Sequence, residues 1–309
     1  MQKTIFLLSL LIVIFFSACE NNHQNTTIMK PNRDFLLPSG FDWQGHRGAR
    51  GLLPENTIPA FIKAIELGVP TLELDVVASK DDQIIVSHEA WFSHHICTKP
   101  DGTPVTKEEA ETLLLLEMTY EEIKQYDCGI RGNERFEEQQ PMKVHKPSLM
   151  DMVTNVEIYC QKNKKPKPFY NIEIKSQPDY YDKRVPQPAK FVQLILDELD
   201  LLNAKERVTL QSFDINILNE IHKQDSSVVT AQLVENTESV AENLAKINFT
   251  PDKYSPYYML LNEEVIKDLH QRGILVVPWT VNDPEVMVKL REIGVDGIIT
   301  DYPNLIPKI

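Results

Sequence analysis

Acidic side chains alternate with aliphatic ones at two separated points in the sequence. In Thr71-Leu72-Glu73-Leu74-Asp75-Val76-Val77 the two acids are two residues apart, and in Asn171-Ile172-Glu173-Ile174-Lys175 the same spacing separates Glu173 from Lys175. In a β-strand that spacing sends both polar side chains to one face and the aliphatic ones to the other. Any one of these acids alone is more commonly half of a structural salt bridge. Two such strands facing one axis bring three carboxylates together, and a cation relieves their repulsion. All-oxygen ligation suits a hard ion, so Glu73, Asp75 and Glu173 are expected to hold one divalent cation, Ca2+ or Mg2+. His46 stands at the end of a short strand-like run, and His88 follows Ile84-Ile85-Val86. Hydrolysis of a phosphodiester needs a proton taken from the attacking oxygen and another given to the leaving oxygen, and two imidazoles can divide that work. Arg47, beside His46, can meet nonbridging phosphate oxygens with a forked guanidinium. His94, His95, His145, His222 and His270 lie in helical or surface-like contexts and are expected to be solvated.

The elements that must position these residues alternate along the chain. Strand-like apolar runs occur at 43–46, 71–77, 169–175, 208–211, 228–233, near Tyr254, at 274–279 and at 297–300, with helical patterns between them. Two helices are well punctuated. Thr57 can cap one that Pro59 opens and Gly68 stops; Asp283 can cap another that Pro284 opens and Gly294 stops. Eight β-then-α repeats predict an α/β fold, a TIM (β/α)8 barrel spanning residues 42–309. About 60 residues between His88 and a helix expected near Ser148 exceed an ordinary connection. This insertion, at about 89–147, is expected to carry helices around 108–117 and 120–126 and to form a small subdomain after the second strand. Active sites of such barrels lie at the C-terminal strand ends, so an insertion there would shape the substrate pocket.

Residues 1–18 carry Lys3, a short apolar stretch and the small residues Ser17 and Ala18 before Cys19. This is the pattern of an export signal, too short to span a bilayer, and it resembles a bacterial lipoprotein leader. Cys19 is the expected lipidation site, giving an exported protein anchored to a membrane by lipid; polar residues 19–41 read as a flexible tether. A formal net charge of −13 argues against nucleic acid as a partner. Besides Cys19, only Cys97, Cys128 and Cys160 remain, without zinc-like spacing. A bridge between Cys97 and Cys128 is compatible with export, but small buried thiols are the expectation.

Gly45-His46-Arg47-Gly48, Pro54-Glu55-Asn56-Thr57, Glu73-Leu74-Asp75, His88, Asn171-Ile172-Glu173-Ile174-Lys175, Gln211-Ser212-Phe213, Trp279-Thr280-Val281-Asn282 and the run from Gly294 through Asp301 together resemble the glycerophosphodiester phosphodiesterase family. The resemblance implies a metal-dependent hydrolase on a (β/α)8 barrel that splits glycerophosphodiesters into glycerol 3-phosphate and an alcohol. It implies metal ligation by Glu73, Asp75 and Glu173, acid/base work by His46 and His88, and phosphate contacts by Arg47 and Lys175. Glu55 and Trp279 are further candidates from the same motifs. The family's route has the glycerol 2-hydroxyl attack phosphorus to give a cyclic phosphate that water opens. Glu89 stands where the family usually has Asp. Alternatives are a phospholipase C- or D-like enzyme on the same barrel, separable by metal dependence or an apolar rim, and an inactive ligand-binding surface lipoprotein.

Overall fold

The computed structural model describes residue 38 and residues 40–306. The leader, Cys19 and most of the tether lie outside the described residues. Nine strands and nine α-helices follow in the order β1 (Asp42–Gly45), α1 (Ile58–Glu66), β2 (Thr71–Ala78), β3 (Ile84–Val86), α2 (Lys107–Ala110), α3 (Tyr120–Ile123), α4 (Leu149–Lys162), β4 (Phe169–Ile174), α5 (Pro188–Leu201), β5 (Val208–Ser212), α6 (Ile215–Gln224), β6 (Val229–Val234), α7 (Val240–Leu244), β7 (Lys253–Pro256), α8 (Glu263–Gln271), β8 (Leu275–Val276), α9 (Pro284–Glu292) and β9 (Gly297–Thr300) among the described residues.

Eight of the strands are parallel, in the order β8-β7-β6-β5-β4-β2-β1-β9. Backbone bonds from Asp296 N–H to Val276 O, 2.9 Å, and from Ile299 N–H to Pro278 O, 3.0 Å, bring the two ends of the sheet together. The result is a nearly closed (β/α)8 barrel. The exception is β3, which pairs antiparallel with the end of β2. In the sequence, 84–86 is legible only as the approach to His88: its three aliphatic residues are fully buried, and so short a run carries no alternation to mark a strand.

The helix signals act where they were expected. The Thr57 side chain accepts from Ala60 N–H, Asp283 accepts from Glu285 and Val286, and Ser148 caps α4 through Asp151 N–H. Gly68 and Gly294 take φ of 92° and 98° after their helices, conformations in which a Cβ is costly. The main core lies between the strands and the helical ring. Leu72, Leu74, Val76, Ile172 and Ile174 meet Phe61, Leu149, Met152, Phe191 and Ile195 in one buried cluster. Each such side chain contributes about 1.5–3 kcal/mol by leaving water. This outward burial leaves the alternate residues of β2 and β4 facing the axis.

Residues 89–147 are held to the barrel rather than standing apart. Phe92, Ile96, Val105, Leu115 and Ile123 belong to the same buried cluster as β2, and Phe92 stacks on Tyr126 at 3.8 Å. The helix expected at 108–117 is two pieces, α2 and a 3-10 turn at Leu115–Glu117, and the one at 120–126 shortens to α3. Capping boxes at Thr106/Glu109 and Thr119/Glu122 start both short helices. The expectation of free thiols is overturned for two residues: Cys97 and Cys128 form a disulfide, their Cα atoms 4.0 Å apart, while Cys160 is free and buried. The pairing brings together residues 31 apart in sequence, a proximity that no local pattern announces.

Candidate active site

A cavity of about 270 Å3 opens at the C-terminal strand ends, lined by His46, Arg47, Arg50, Glu73, His88, Glu173, Lys175, Gln211, Phe213, Leu233, Glu235, Trp279, Thr280 and Ile299. His46 and Arg47 are adjacent, and in a strand they would point to opposite sides. The chain leaves β1 at Gly45, and Arg47 adopts φ 51°, so both side chains reach the cavity. Arg47 N–H donates to Glu73 Oε2 at 2.9 Å and holds this turn. Gly45 and Gly48 allow it: a Cβ on Gly45 would lie 2.5 Å from Gly48 O, and one on Gly48 2.6 Å from the Ala60 carbonyl carbon.

Sheet register assembles the acids. Asp75 lies directly beside Glu173 across β2 and β4, and Glu73 beside Asn171. One oxygen each from Glu73, Asp75 and Glu173 falls within 4.8 Å of the others, all three residues buried. Neighbours fix the group: Gln211 Nε2 donates to Glu73 Oε1 at 3.0 Å, Asn56 Nδ2 to Asp75 Oδ2 at 2.8 Å, and Lys175 Nζ to Glu173 Oε1 at 2.6 Å. Asp75 Oδ1 is buried with no hydrogen-bond partner. Burial, with Asp75 and Glu173 nearby, pushes the Glu73 carboxyl well up, and burial raises Glu173 despite Lys175. Asp75 is held low: burial opposes its charge, but Arg47 outweighs it, helped by His88 and Lys175. Three convergent carboxylates, one with a bare buried oxygen and two driven toward protonation by burial and mutual repulsion, fit a hard divalent cation.

The histidines are fixed from behind. His46 Nδ1 lies 2.7 Å from Asp301 Oδ1, which also accepts from Arg50 Nε at 2.5 Å; Asn282 Nδ2 donates to Asp301 Oδ2 at 2.7 Å. A carboxylate at Nδ1 selects the tautomer that carries its proton there, leaving Nε2 with a lone pair, 3.8 Å from Glu73 Oε2. Burial, then the Arg50 charge, lowers the His46 imidazole to about 4 in spite of Asp301. His88 Nδ1 lies 3.0 Å from Glu89 Oε1, and its Nε2 lies 3.3 Å from Lys175 Nζ. Burial resists the Glu89 charge, yet the His88 hydrogen bond and nearby cations bring its carboxyl down to about 2.

The cations differ in how free they are. Arg47 NH1 donates to Glu55 Oε1 at 2.6 Å, and its Nε makes an ion pair with Asp75 Oδ2 at 3.2 Å without hydrogen-bond alignment. Glu55 thus sits behind Arg47. Burial works against the charge of Glu55, and Arg47 with Arg50 keeps its carboxyl low. Lys175 bridges toward His88 and Glu173, while buried Lys146 donates to Ser87 Oγ at 2.8 Å.

The structure therefore brings His46, His88, Arg47, Lys175, Glu73, Asp75, Glu173, Glu55 and Trp279 to one end of the barrel. The other histidines do not join them: His222 stacks on Phe249 and His270 pairs with Asp296 at 2.8 Å. Asp301, Arg50, Asn56 and Gln211 were given no role from sequence, although three of them stand in the quoted motifs. Their function is to hold another side chain, which only tertiary contact reveals.

A family model described as the glycerophosphoryl diester phosphodiesterase family matches residues 46–305. The chain belongs to this family. A curated relative, the glycerophosphodiester phosphodiesterase of Bacillus subtilis (strain 168), is 28% identical, with 99% of this chain and 96% of the relative covered. Among solved structures, a family protein from Silicibacter pomeroyi DSS-3 is 30% identical with a TM-score of 0.75, covering 87% of this chain and 92% of that one. An Oleispira antarctica phosphodiesterase, solved with the product sn-glycerol-3-phosphate, shares the fold at 20% identity and TM-score 0.68, over 88% of this chain and 96% of that one. Family membership makes the chain a phosphoric diester hydrolase, which sets aside the inactive-lipoprotein alternative.

Proposed function

We propose that the protein is a metal-dependent glycerophosphodiester phosphodiesterase using His46 and His88 as its acid/base pair. The convergence of Glu73, Asp75 and Glu173 in the cavity that His46 and His88 line carries this reading. It also disfavours the metal-free phospholipase alternative, which has no use for three buried acids at one point.

Glu73, Asp75 and Glu173 would hold one divalent cation, which when bound supplies a positive charge for nonbridging phosphate oxygens. Lys175, between His88 and Glu173, and Arg47, braced by Glu55 and Asp75, present further positive charge to the same phosphate. His46 would act as the base: Asp301 holds the Nδ1 proton, Arg50 opposes an imidazolium, and Nε2 would accept from the glycerol 2-hydroxyl as that oxygen attacks phosphorus. His88 would act as the acid: Glu89 at Nδ1 orients the ring, and His88 would give a proton to the departing alcohol. The P–O bond to the alcohol breaks as the P–O bond to glycerol O2 forms. Water then opens the cyclic phosphate with the two histidines in exchanged roles, giving glycerol 3-phosphate.

The decisive experiment is product analysis on a glycerophosphodiester panel, with and without EDTA. Glycerol 3-phosphate formed only in the presence of metal supports the proposal; full activity in excess EDTA would falsify the metal assignment. We also propose export and anchoring through Cys19, based on the leader pattern. Labelled fatty acid should enter the wild-type protein and not Cys19→Ser, and a mature protein starting at another residue would refute this part alone.

A further inference from the structure

The connection between α4 and β4 is basic in an acidic chain. Four of the six residues Lys162–Lys167 are lysines and no acid stands between Glu157 and Glu173, although the chain as a whole has a formal net charge of −13. This connection runs straight into the first residue of β4, so it lies at the N-terminal strand ends, opposite the catalytic cavity. Acids at the flanking helix ends are already engaged. Glu157 pairs with Arg207 at 2.5 Å and with Lys167, Glu66 with Lys63 at 3.6 Å, and Asp200 with Lys205 at 2.8 Å. Glu206, in the next connection, is exposed, and a single acid does not offset four lysines. Lys165 Nζ donates to Ile65 O at 3.2 Å, whereas Lys162 and Lys164 are exposed and make no ion pair among the described residues.

Apolar surface adjoins the lysines. Two grooves share Lys165 and Lys167. One, of about 300 Å3, passes between the α1–β2 and α4–β4 connections over Val69, Pro70 and Pro166; the other, of about 680 Å3, lies between α4 and the end of α5. The second is bordered by Ile158, 43% exposed, and Leu201, 75% exposed. Pro38, the first described residue, lines the first groove, so the chain that precedes the barrel joins it at this same end.

We propose that this end of the barrel docks on an anionic phospholipid surface, with the lysines of Lys162–Lys167 against headgroup phosphates and Ile158 and Leu201 at the upper acyl chains. Clustered lysines beside exposed aliphatic side chains suit a surface that is charged outside and apolar beneath, whereas a purely acidic partner would leave Leu201 without a counterpart. The acidic remainder of the chain is repelled by the same surface, and that asymmetry sets the orientation: the catalytic mouth points away from the bilayer. A mouth so directed takes diesters from solution rather than acyl-bearing lipid from the membrane. An anchor at Cys19, 19 residues before Pro38, would bring this end to the bilayer and raise its local concentration there, but the lysines act without it.

The test is co-sedimentation of the metal-loaded full chain carrying Cys19→Ser, so that no acyl group contributes, with phosphatidylcholine vesicles made with or without about one third phosphatidylglycerol. The neutral vesicles read whatever the apolar leader adds. Binding to the anionic vesicles should exceed binding to the neutral ones by about tenfold or more and fall as salt rises from about 0.1 to 0.5 M. The double variant Lys162→Gln, Lys164→Gln should cut anionic binding by about tenfold and Leu201→Gln by about threefold, both keeping wild-type turnover in solution. Equal binding to both vesicle types, or a double variant that binds as wild type does, overturns the proposal. So does a double variant that loses self-association in sedimentation velocity while keeping its vesicle binding, which would give the lysines to a second copy of the chain. Turnover of a soluble glycerophosphodiester by the vesicle-bound protein should stay within about twofold of the free rate; a block on anionic vesicles alone would put the mouth against the bilayer and overturn the orientation. Only that arm rests on the phosphodiesterase reading. Absence of turnover in every sample would overturn that reading, while the binding measurements decide the docking surface separately.

Discussion

Asp301→Asn isolates what the second partner of a histidine does. Asp301 accepts from His46 Nδ1 at 2.7 Å, from Arg50 Nε at 2.5 Å and from Asn282 Nδ2 at 2.7 Å, and is itself buried. Burial raises its carboxyl, but the His46 and Arg50 contacts dominate and hold it well below the usual range, so it is ionised wherever the enzyme works. The asparagine keeps the shape and removes the charge. A hydrogen bond to a charged group contributes about 1.5–3 kcal/mol, which at 1.36 kcal/mol per decade is roughly 10- to 150-fold in rate if it acts in the transition state. The amide adds a second penalty. Arg50 Nε and His46 Nδ1 share Oδ1, so the amide either keeps its oxygen there and sets its NH2 against the Asn282 Nδ2 donor, or flips and sets its NH2 against Arg50 Nε and His46 Nδ1, which turns the imidazole into the tautomer whose Nε2 carries the proton and cannot accept one. A loss in kcat of about a hundredfold or more is expected, with KM little changed. The assay is steady-state turnover of a glycerophosphodiester by the reconstituted variant, with bound metal and thermal midpoint measured on the same sample, and Asp301→Glu as partial rescue. Turnover within threefold of wild type, with metal retained, would show that Asp301 braces Arg50 alone and that His46 needs no orienting partner.

Other perturbations test separate parts of the site. Glu73→Gln should lower divalent-metal affinity by at least tenfold against about one ion per chain in wild type, read by calorimetry; unchanged affinity would remove Glu73 from the ligand set. His88→Ala should cost roughly a hundredfold on diesters with alkyl leaving groups but far less on an aryl diester, whereas His46→Ala should lose both alike; the reverse pattern exchanges their roles. Glu198, on α5, accepts from the Met150 and Ile84 backbone N–H groups, and burial pushes its carboxyl up to about 7. Because the folded value is raised, the stability it contributes is present below about pH 4.5 and lost as pH climbs through 7, by up to roughly 3 kcal/mol. Glu198→Gln should flatten that fall in urea midpoints between pH 5 and 8; an unchanged slope means the carboxyl ionises freely.

The parts legible in the sequence were those written in local periodicity. Alternation in β2 and β4 announced which carboxylates face the axis, because burial of Leu72, Leu74, Ile172 and Ile174 admits no other register. Helix caps at Thr57 and Asp283 were equally local. What stayed hidden depends on contacts across the ring. Asp301 lies 255 residues from His46, and Gln211 lies 138 from Glu73. Arg50 is invisible for the same reason, since nothing beside it in sequence says that its partner will be Asp301. The Cys97–Cys128 pair failed for a related cause: an odd number of cysteines beyond the leader argues against pairing, until packing of the insertion sets two of them side by side.

The charges around the cavity bear on how many cations it can hold. Six carboxylates cluster there: Glu55, Glu73, Asp75, Glu89, Glu173 and Asp301. Four permanent cations oppose them: Arg47, Arg50, Lys146 and Lys175. With neutral imidazoles the difference is two negative charges, which is the reason burial and mutual repulsion drive Glu73 and Glu173 toward protonation. One divalent ion cancels it, and two would leave the centre as positive as it is now negative. A neutral, loaded centre then meets a diester of single negative charge with Arg47 and Lys175 already directed at the same place.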